Sequence, residues 1–263
     1  MPLLNHLEVS SIVKKTFKKR ILFRNPLRSN FGSNQNLLSM KWLIDLFSSS
    51  LGRKVVMALT GLFIILFLAV HLIGNLQLLK DDGGEAFNVY AYFMTHNPLI
   101  KTVSYVNYAF FLFHIVWAIM LTRKNKAARG GEGYAIKNAS AVWSSRNMGI
   151  LGTIILVFLV IHMRQFWGEM HFGSMPLKTY GDHEVKDLYT VVGAAFKEWW
   201  YVVLYCISMI AIAFHLWHGF TSAFQTLGLN HMKYNPVINF VGKAFSIVVP
   251  ALFALIPIVM FFV

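Results

Sequence analysis

Six of the ten histidines lie in stretches of the chain that contain no Asp, Glu, Lys or Arg, and five of the six lie in the apolar, membrane-spanning parts of those stretches. An ionisable side chain in an apolar segment is costly, and it is by default a candidate functional residue. For one isolated residue, a neutral imidazole bonded to a backbone carbonyl of a neighbouring helix is an equally good explanation. Because these histidines are spread over four successive stretches, a shared chemical role is the better explanation for the set. They are His71, His114, His162, His215 and His218.

The stretches that contain these histidines are long enough to cross a membrane. Charged residues make up 13% of the chain, whereas soluble domains carry roughly a quarter. A spanning helix needs about 20 apolar residues, and these runs leave no room for a polar face. The composition excludes a disordered chain, a coiled coil and a nucleic-acid-binding domain, and it predicts an all-α membrane bundle of five helices. The charge-free runs are 55–79, 102–122, 147–163, 199–232 and 244–263. The helices are predicted at about 54–79, 101–122, 146–168, 198–226 and 237–262.

The net charge of +13 is divided unevenly between the predicted loops. Loops 1–54, 123–146 and 233–243 hold 18 Lys and Arg and three Asp and Glu, whereas loops 80–101 and 164–198 hold six and eight. Since basic loops stay on the cytoplasmic side, we predict a cytoplasmic N-terminus and a C-terminus outside. The basic face is also suited to a soluble partner or anionic membrane lipid.

Residues 1–39 are basic and weakly apolar, with Glu8 as their one acid. A flexible arm, a transit-like presequence and an extension upstream of a start at Met40 all fit this composition. We favour the extension, because the helical pattern begins at Met40. The bundle is therefore predicted to comprise residues 40–263.

The depths of the histidines divide them into two pairs. With a rise of 1.5 Å per residue, His71 and His162 each lie about 24–25 Å from the predicted cytoplasmic ends of their helices. His114 and His215 lie about 13 and 16 Å from the corresponding ends. The sequence therefore predicts an outer pair, His71 with His162, and an inner pair, His114 with His215, roughly 10 Å apart along the membrane normal.

Local sequence agrees with this pairing. A glycine stands ten residues before His71 and before His162, where close helix approach is an alternative explanation for it. Residues 113–115 read FHI and residues 214–216 read FHL. This alignment favours His215 as the partner of His114 and leaves His218 one turn away on the same face. We expect His218 to form a hydrogen bond near the edge of the group that His114 and His215 hold. Direct binding of that group by His218 is the lesser alternative.

Two neutral imidazoles at one depth are suited to hold a flat metal macrocycle between two helices. Haem fits this arrangement because its ring is apolar and its iron accepts axial nitrogen ligands. Bare zinc or copper requires three or four ligands, and a proton relay would use Asp or Glu, which the spans lack. The single cysteine, Cys206, excludes a cysteine-ligated cluster and the covalent attachment motif of c-type haem. The sequence therefore predicts two non-covalent, bis-histidine b-type haems.

Residues 40–263 resemble the five-helix, two-haem cytochrome b membrane subunits of succinate:quinone oxidoreductases and quinol:fumarate reductases. The resemblance is carried by His114, His162 and four segments, FLAVHL at 67–72, HLWHG at 215–219, SSSLGRK at 48–54 and AFQTLGL at 223–229. It implies a bacterial cytoplasmic membrane, with a flavoprotein subunit and an iron–sulfur subunit bound on the cytoplasmic face. It also implies electron transfer between those clusters, the two haems and a quinone, expected to be menaquinone. The dicarboxylate chemistry belongs to the soluble partners, so this chain is itself non-catalytic.

Two further groups of residues are candidate binding residues. Arg53 and Arg146 lie at the predicted cytoplasmic ends of their helices, where arginine binds carboxylates in bidentate fashion. We expect them to hold haem propionates and the iron–sulfur subunit, with simple positive-inside anchoring as the alternative. Candidate quinone-site residues lie on the predicted outer side, where each also fits an ordinary interfacial role. They are Asn75, Gln77, His96, Arg164, Gln165 and Glu169.

Two rival functions remain open at this stage. One is the cytochrome b subunit of another membrane redox complex, such as a formate dehydrogenase or a hydrogenase. The other is a non-redox transporter or scaffold that uses histidine for polar packing. The identity of copurified subunits distinguishes the first rival from a succinate:quinone complex. An absorbance spectrum distinguishes the second rival from a haem protein.

Overall fold

The computed structural model describes residues 46–129, 143–181 and 183–263, together with Lys41 and Ile44. The chain divides into two units after Leu46, and the fold below is that of the second unit, Phe47–Val263. The extension predicted for 1–39 lies outside the described residues.

Five helical spans in the described part of the chain are long and apolar enough to cross a membrane, so the all-α prediction is confirmed. They are Ser50–Leu79, Pro98–Ala128, Met148–Phe172, Trp199–Thr226 and Asn235–Phe262. Large apolar side chains on these helices face outward, among them Leu66, Leu112 and Val160, each more than 60% exposed. Such a surface suits lipid contact rather than water. The predicted orientation of the termini stays a prediction.

The spans are built from helices that we number in chain order. They are α1 (Ser50–Asn75), which continues into a 3-10 turn (Leu76–Leu79), α2 (Glu85–His96), α3 (Pro98–Arg129), α4 (Trp143–Arg146), α5 (Met148–His162), α6 (Glu169–Phe172), α7 (Leu188–Phe196), α8 (Trp199–Thr226) and α9 (Asn235–Phe262). A π-helical segment, Met163–Gly168, joins α5 to α6 without a break. Helix α8 packs against α9, α1 and α5, and α3 packs against α1.

Capping groups explain why two helices begin before the charge-free runs. The hydroxyl of Ser49 accepts a hydrogen bond from Gly52 N at 3.0 Å, so α1 begins at Ser50. The side-chain oxygen of Asn97 accepts from Leu99 N at 3.0 Å, and Pro98 occupies the first position of α3. Asn and Ser are favoured caps, and proline fits the first helical position.

The two ends of the bundle differ in composition. We call the end where α1 begins the basic end, because Lys54, Arg123 and Lys124 lie there. A hydrogen bond of 3.2 Å from Lys124 Nζ to Ser50 Oγ joins the start of α1 to the end of α3. The opposite end, which we call the hairpin end, carries a two-stranded antiparallel hairpin, β1 (Leu177–Tyr180) and β2 (His183–Lys186). The hairpin was not predicted, because four-residue strands lack a sequence period long enough to recognise.

A buried polar network joins α2, the hairpin and α7 at the hairpin end. Asn88, 1% exposed, donates to Asp187 Oδ1 at 2.9 Å and to the Tyr180 hydroxyl at 3.1 Å. Its side-chain oxygen accepts from Tyr189 N at 2.9 Å. Asp187 also caps α7 by accepting from Thr190 N and from the Thr190 hydroxyl. The segments between the spans are therefore packed structure at this end, with their buried polar atoms satisfied.

Candidate functional site

The structure brings four of the five intramembrane histidines together in two facing pairs. The rings of His71 on α1 and His162 on α5 have centroids 5.8 Å apart and planes inclined at 88°. The rings of His114 on α3 and His215 on α8 have centroids 6.3 Å apart and planes inclined at 64°. All four side chains are half-buried. His218 follows His215 by one turn of α8, toward the basic end, and is also half-buried.

In the His114–His215 pair, Thr60 contacts the Nδ1 atom of His114. The Thr60 hydroxyl donates to Val56 O at 2.9 Å and is also within reach of Met57 O at 3.1 Å. Its oxygen lies 3.2 Å from His114 Nδ1. A hydroxyl has one proton, and while a helix carbonyl accepts that proton, the Thr60 oxygen can accept from His114 Nδ1. In that tautomer the Nε2 atom of His114 keeps its lone pair and is available to bind a metal.

In the His71–His162 pair, the two imidazoles have different neighbours. His162 Nδ1 lies 3.1 Å from the hydroxyl of Tyr205 on α8. The Asn75 amide donates to the backbone oxygen of His71 at 2.7 Å and lies 3.4 Å from both nitrogens of its ring. Phe67 stacks on the His71 ring at 5.1 Å, which covers one face of that imidazole. Asn75, predicted as a quinone-site residue, is therefore already bonded to His71.

The spacing within each pair fits a metal held between two imidazoles. A histidine nitrogen binds a metal at about 2.0 Å, which puts the centroids of two opposed rings roughly 6.3 Å apart. The observed separations are 5.8 and 6.3 Å. Among the described residues, no group of three or more His, Cys, Asp and Glu is arranged to hold a metal ion. Two nitrogen donors and no more suit a macrocycle that supplies the other ligands itself.

Unsatisfied polar atoms mark the basic side of the His114–His215 pair. In the described part of the chain, four buried side-chain atoms there have no hydrogen-bond partner. They are Arg53 Nε, Trp117 Nε1, Ser144 Oγ and His215 Nδ1. Arginine and tryptophan nitrogens only donate, and a hydroxyl can donate as well. A buried group that carries acceptor oxygens, such as a haem propionate, fits this set, because orphaned buried donors are rare in a complete structure.

Sequence reasoning identified Arg53 in this set but missed Trp117 and Ser144. Trp117 lies within a predicted span, Ser144 lies outside every charge-free run, and the sequence pattern assigned a role to neither. The sequence signal that could have identified them is that each carries a polar group near a predicted helix end. Arg146, the other predicted arginine, is exposed.

A glycine on α1 lets His114 approach that helix closely. A Cβ atom at Gly61 would lie 3.4 Å from His114 Cε1, which is tighter than most such contacts. The matching glycine on α5, Gly152, has no such neighbour within 4 Å. The two glycines that stand ten residues before His71 and His162 are thus not equivalent in the structure.

The remaining quinone-site candidates are distributed around the hairpin end. His96 lines an apolar cavity of about 300 Å³, together with Val89, Tyr92, Phe93, Asn97 and Val185. The Nδ1 atom of His96 is bonded to Tyr92 O at 2.8 Å. Gln77 lies in the 3-10 turn, Arg164 and Gln165 lie in the π-helical segment, and Glu169 begins α6.

Comparison with protein-family models, with curated proteins and with solved structures finds no match to this chain. The sequence and the geometry alone therefore characterise the molecule. It is a multi-pass helical membrane protein with two facing histidine pairs inside its bundle.

Proposed function

We propose that the chain is a dihaem cytochrome b membrane anchor of a succinate:quinone oxidoreductase in a bacterial cytoplasmic membrane. It carries electrons between an iron–sulfur subunit and a membrane quinone, expected to be menaquinone. The observation that supports this function most is that histidines face each other in two pairs inside the bundle. The spacing within each pair suits bis-histidine ligation. The partner subunits are proposed from the resemblance of residues 40–263 to that family.

In this function each histidine pair holds one haem b, which supplies a one-electron carrier when bound. His71 and His162 bind one iron through their imidazoles, and His114 and His215 bind the other. Thr60 contacts Nδ1 of His114 at 3.2 Å, which leaves Nε2 as the nitrogen available to the iron. Aromatic side chains exclude water from the first pair, because Phe67, Phe158 and Phe166 contact its rings.

The basic end carries the groups that suit an anionic partner. Arg53, Trp117 and Ser144 have buried atoms free to donate to a propionate, and charge-assisted bonds of this kind are about twice as strong as neutral ones. Exposed Arg123, Lys124 and Arg146 provide a positive surface beyond them. We expect the iron–sulfur subunit to bind at this surface, with the flavoprotein subunit attached to it and membrane lipid around the helices.

An absorbance spectrum of the purified chain, reduced with dithionite, tests the function directly. We expect a b-type band and about two haems per polypeptide, since each haem takes two axial ligands. A His231→Ala variant is a matched control, because His231 is exposed and lies outside the spans. A protein without haem would instead support a scaffold or transporter in which the histidines serve polar packing.

The partner subunits distinguish this complex from other redox complexes. We expect copurification of a flavoprotein that oxidises succinate and of an iron–sulfur protein, both released by charge reversal on the basic end. Copurification of a formate- or hydrogen-oxidising subunit would contradict the proposal while leaving the haem assignment intact.

A further inference from the structure

In each histidine pair, a hydroxyl group contacts the Nδ1 atom of one histidine, and the two hydroxyl groups differ. His114 has the aliphatic hydroxyl of Thr60, which belongs to α1 and gives its proton to its own helix. His162 has the phenol of Tyr205, which belongs to α8. A phenol and an alcohol differ in acidity and in rigidity, so the two contacts are not chemically equivalent.

Packing holds the Tyr205 hydroxyl in place. Tyr205 is 5% exposed, and its ring contacts Phe158 at 4.9 Å, Phe196 at 5.1 Å and Tyr201 at 5.2 Å. These neighbours come from α5, α7 and α8, so the ring is fixed from three sides. The 3.1 Å contact with His162 is therefore a feature of the packed core rather than of one mobile side chain.

We infer that Tyr205 is a positioning residue that orients the His162 imidazole and lowers the reduction potential of the haem bound by His71 and His162. This inference rests on the proposed function. When Nε2 of His162 binds iron, Nδ1 carries the proton and donates to the Tyr205 oxygen. A hydrogen bond that this N–H donates to an oxygen raises the basicity of the ligand. A more basic imidazole stabilises the ferric iron more than the ferrous iron, and the potential falls.

The Tyr205→Phe variant removes the oxygen and keeps the ring. We expect both haems to remain and the ferric-to-ferrous equilibrium of the haem at the His71–His162 pair to shift about tenfold toward the reduced form. For a one-electron couple a tenfold shift corresponds to about 59 mV. The measurement is a redox titration of the purified complex followed by absorbance. The two components are assigned from the His71→Ala and His114→Ala variants.

Tyr201 provides the matched control. It lies one turn away on α8, is 5% exposed and stacks on Tyr205 at 30°, and its hydroxyl adjoins that of Tyr205. Tyr201→Phe should shift the potential of the same haem by less than Tyr205→Phe does, because it leaves the Tyr205 oxygen in place. A Tyr205→Phe shift no larger than that of Tyr201→Phe, or an equal shift of both haems, overturns the inference.

A second variant keeps the test decisive if Tyr205→Phe loses haem. Incorporation of 3-fluorotyrosine at position 205 keeps the ring and the hydroxyl but makes the oxygen a weaker acceptor. We expect a smaller upward shift of the same haem, and no shift overturns the inference. A protein that binds no haem in any variant, wild type included, refutes the proposed function. A haem-loaded protein whose potentials do not respond to position 205 refutes the inference alone.

Discussion

The two histidine pairs lie in the same bundle but in different surroundings. Around His71 and His162, aromatic rings from α1, α5 and α9 pack on the imidazoles, and Tyr205 bonds the Nδ1 atom of His162. Beside His114 and His215, the side chains of Arg53, Trp117 and Ser144 have buried atoms without partners. The protein's own side chains thus come closer to completing the site at His71 and His162 than the site at His114 and His215. This difference teaches that the proposed haem would have more unpartnered polar atoms to satisfy at the His114–His215 pair than the aromatic surroundings leave at the His71–His162 pair.

The largest expected effect comes from removing one ligand. His71→Ala and His162→Ala should each abolish the same spectral component, and His114→Ala and His215→Ala should each abolish the other, because one lost ligand leaves the iron under-coordinated. Pyridine haemochrome analysis should fall from about two haems to about one per chain. If His71→Ala and His114→Ala removed the same component, the division into two pairs would be wrong.

These ligand variants also separate electron transfer from succinate chemistry. In the proposed complex, succinate oxidation with a soluble dye at the iron–sulfur subunit should survive His71→Ala, since the dye bypasses the membrane chain. Quinone reduction in the same preparation should be lost. Loss of both activities would mean that the complex had dissociated, which gel filtration of the variant detects.

A smaller effect is expected at the basic end. Arg53→Gln should weaken haem retention at the His114–His215 pair by about tenfold, in the range seen when a supporting partner is removed from a metal site. The haem at the other pair should be retained normally. Arg146→Gln is the control, because Arg146 is exposed. Haem content followed during dialysis against apomyoglobin measures the difference, and equal loss from both variants contradicts a specific role for Arg53.

His218→Ala is expected to have a smaller effect still. Because His215 already faces His114, the variant should keep both haems and shift the potential of the nearer one less than a ligand change would. A redox titration of the variant measures this shift. If His218→Ala abolished that haem while His215→Ala spared it, the ligand would be His218.

The smallest effect concerns the pH response of the hairpin end. Burial raises the pKa of the Asp187 carboxyl, but hydrogen bonds from Thr190 and Asn88 outweigh burial and hold that pKa below its usual range. The carboxylate therefore adds stability that is fully present above the unfolded pKa of about 3.9 and is lost as the pH falls through the folded value. Thermal unfolding of the wild type, measured at successively lower pH, should show this loss of stability. Asp187→Asn should show less of it, and identical pH profiles would contradict the assignment.

The spans were predictable from sequence because a membrane imposes one dominant constraint on composition and length. Their juxtaposed histidines were predictable from helical rise alone, since His71 and His162 lie equally far along two helices that run in the same direction. The role of each histidine as a ligand stays a prediction.

The partners of these histidines were not predictable. Thr60 and His114 are 54 residues apart, and His162 and Tyr205 are 43 residues apart. Contacts at such separations depend on how each helix is rotated about its axis, which uniformly apolar helices do not encode as an amphipathic pattern. The Asn88–Asp187 contact, across 99 residues, was missed for a related reason. It joins two segments that were treated only as loops.

The π-helical segment Met163–Gly168 has a consequence for tolerance to insertion and deletion. It follows His162 directly, and a π segment is geometrically an α-helix with one residue inserted. A wide π turn absorbs the extra residue locally, so deleting one residue there would restore an α-helix and leave the orientation of the chain that follows unchanged. The contact between His162 and Tyr205 lies before that point and would persist. The segment thus tolerates the loss of one residue without a change of register between the spanning helix and the chain leading to the hairpin.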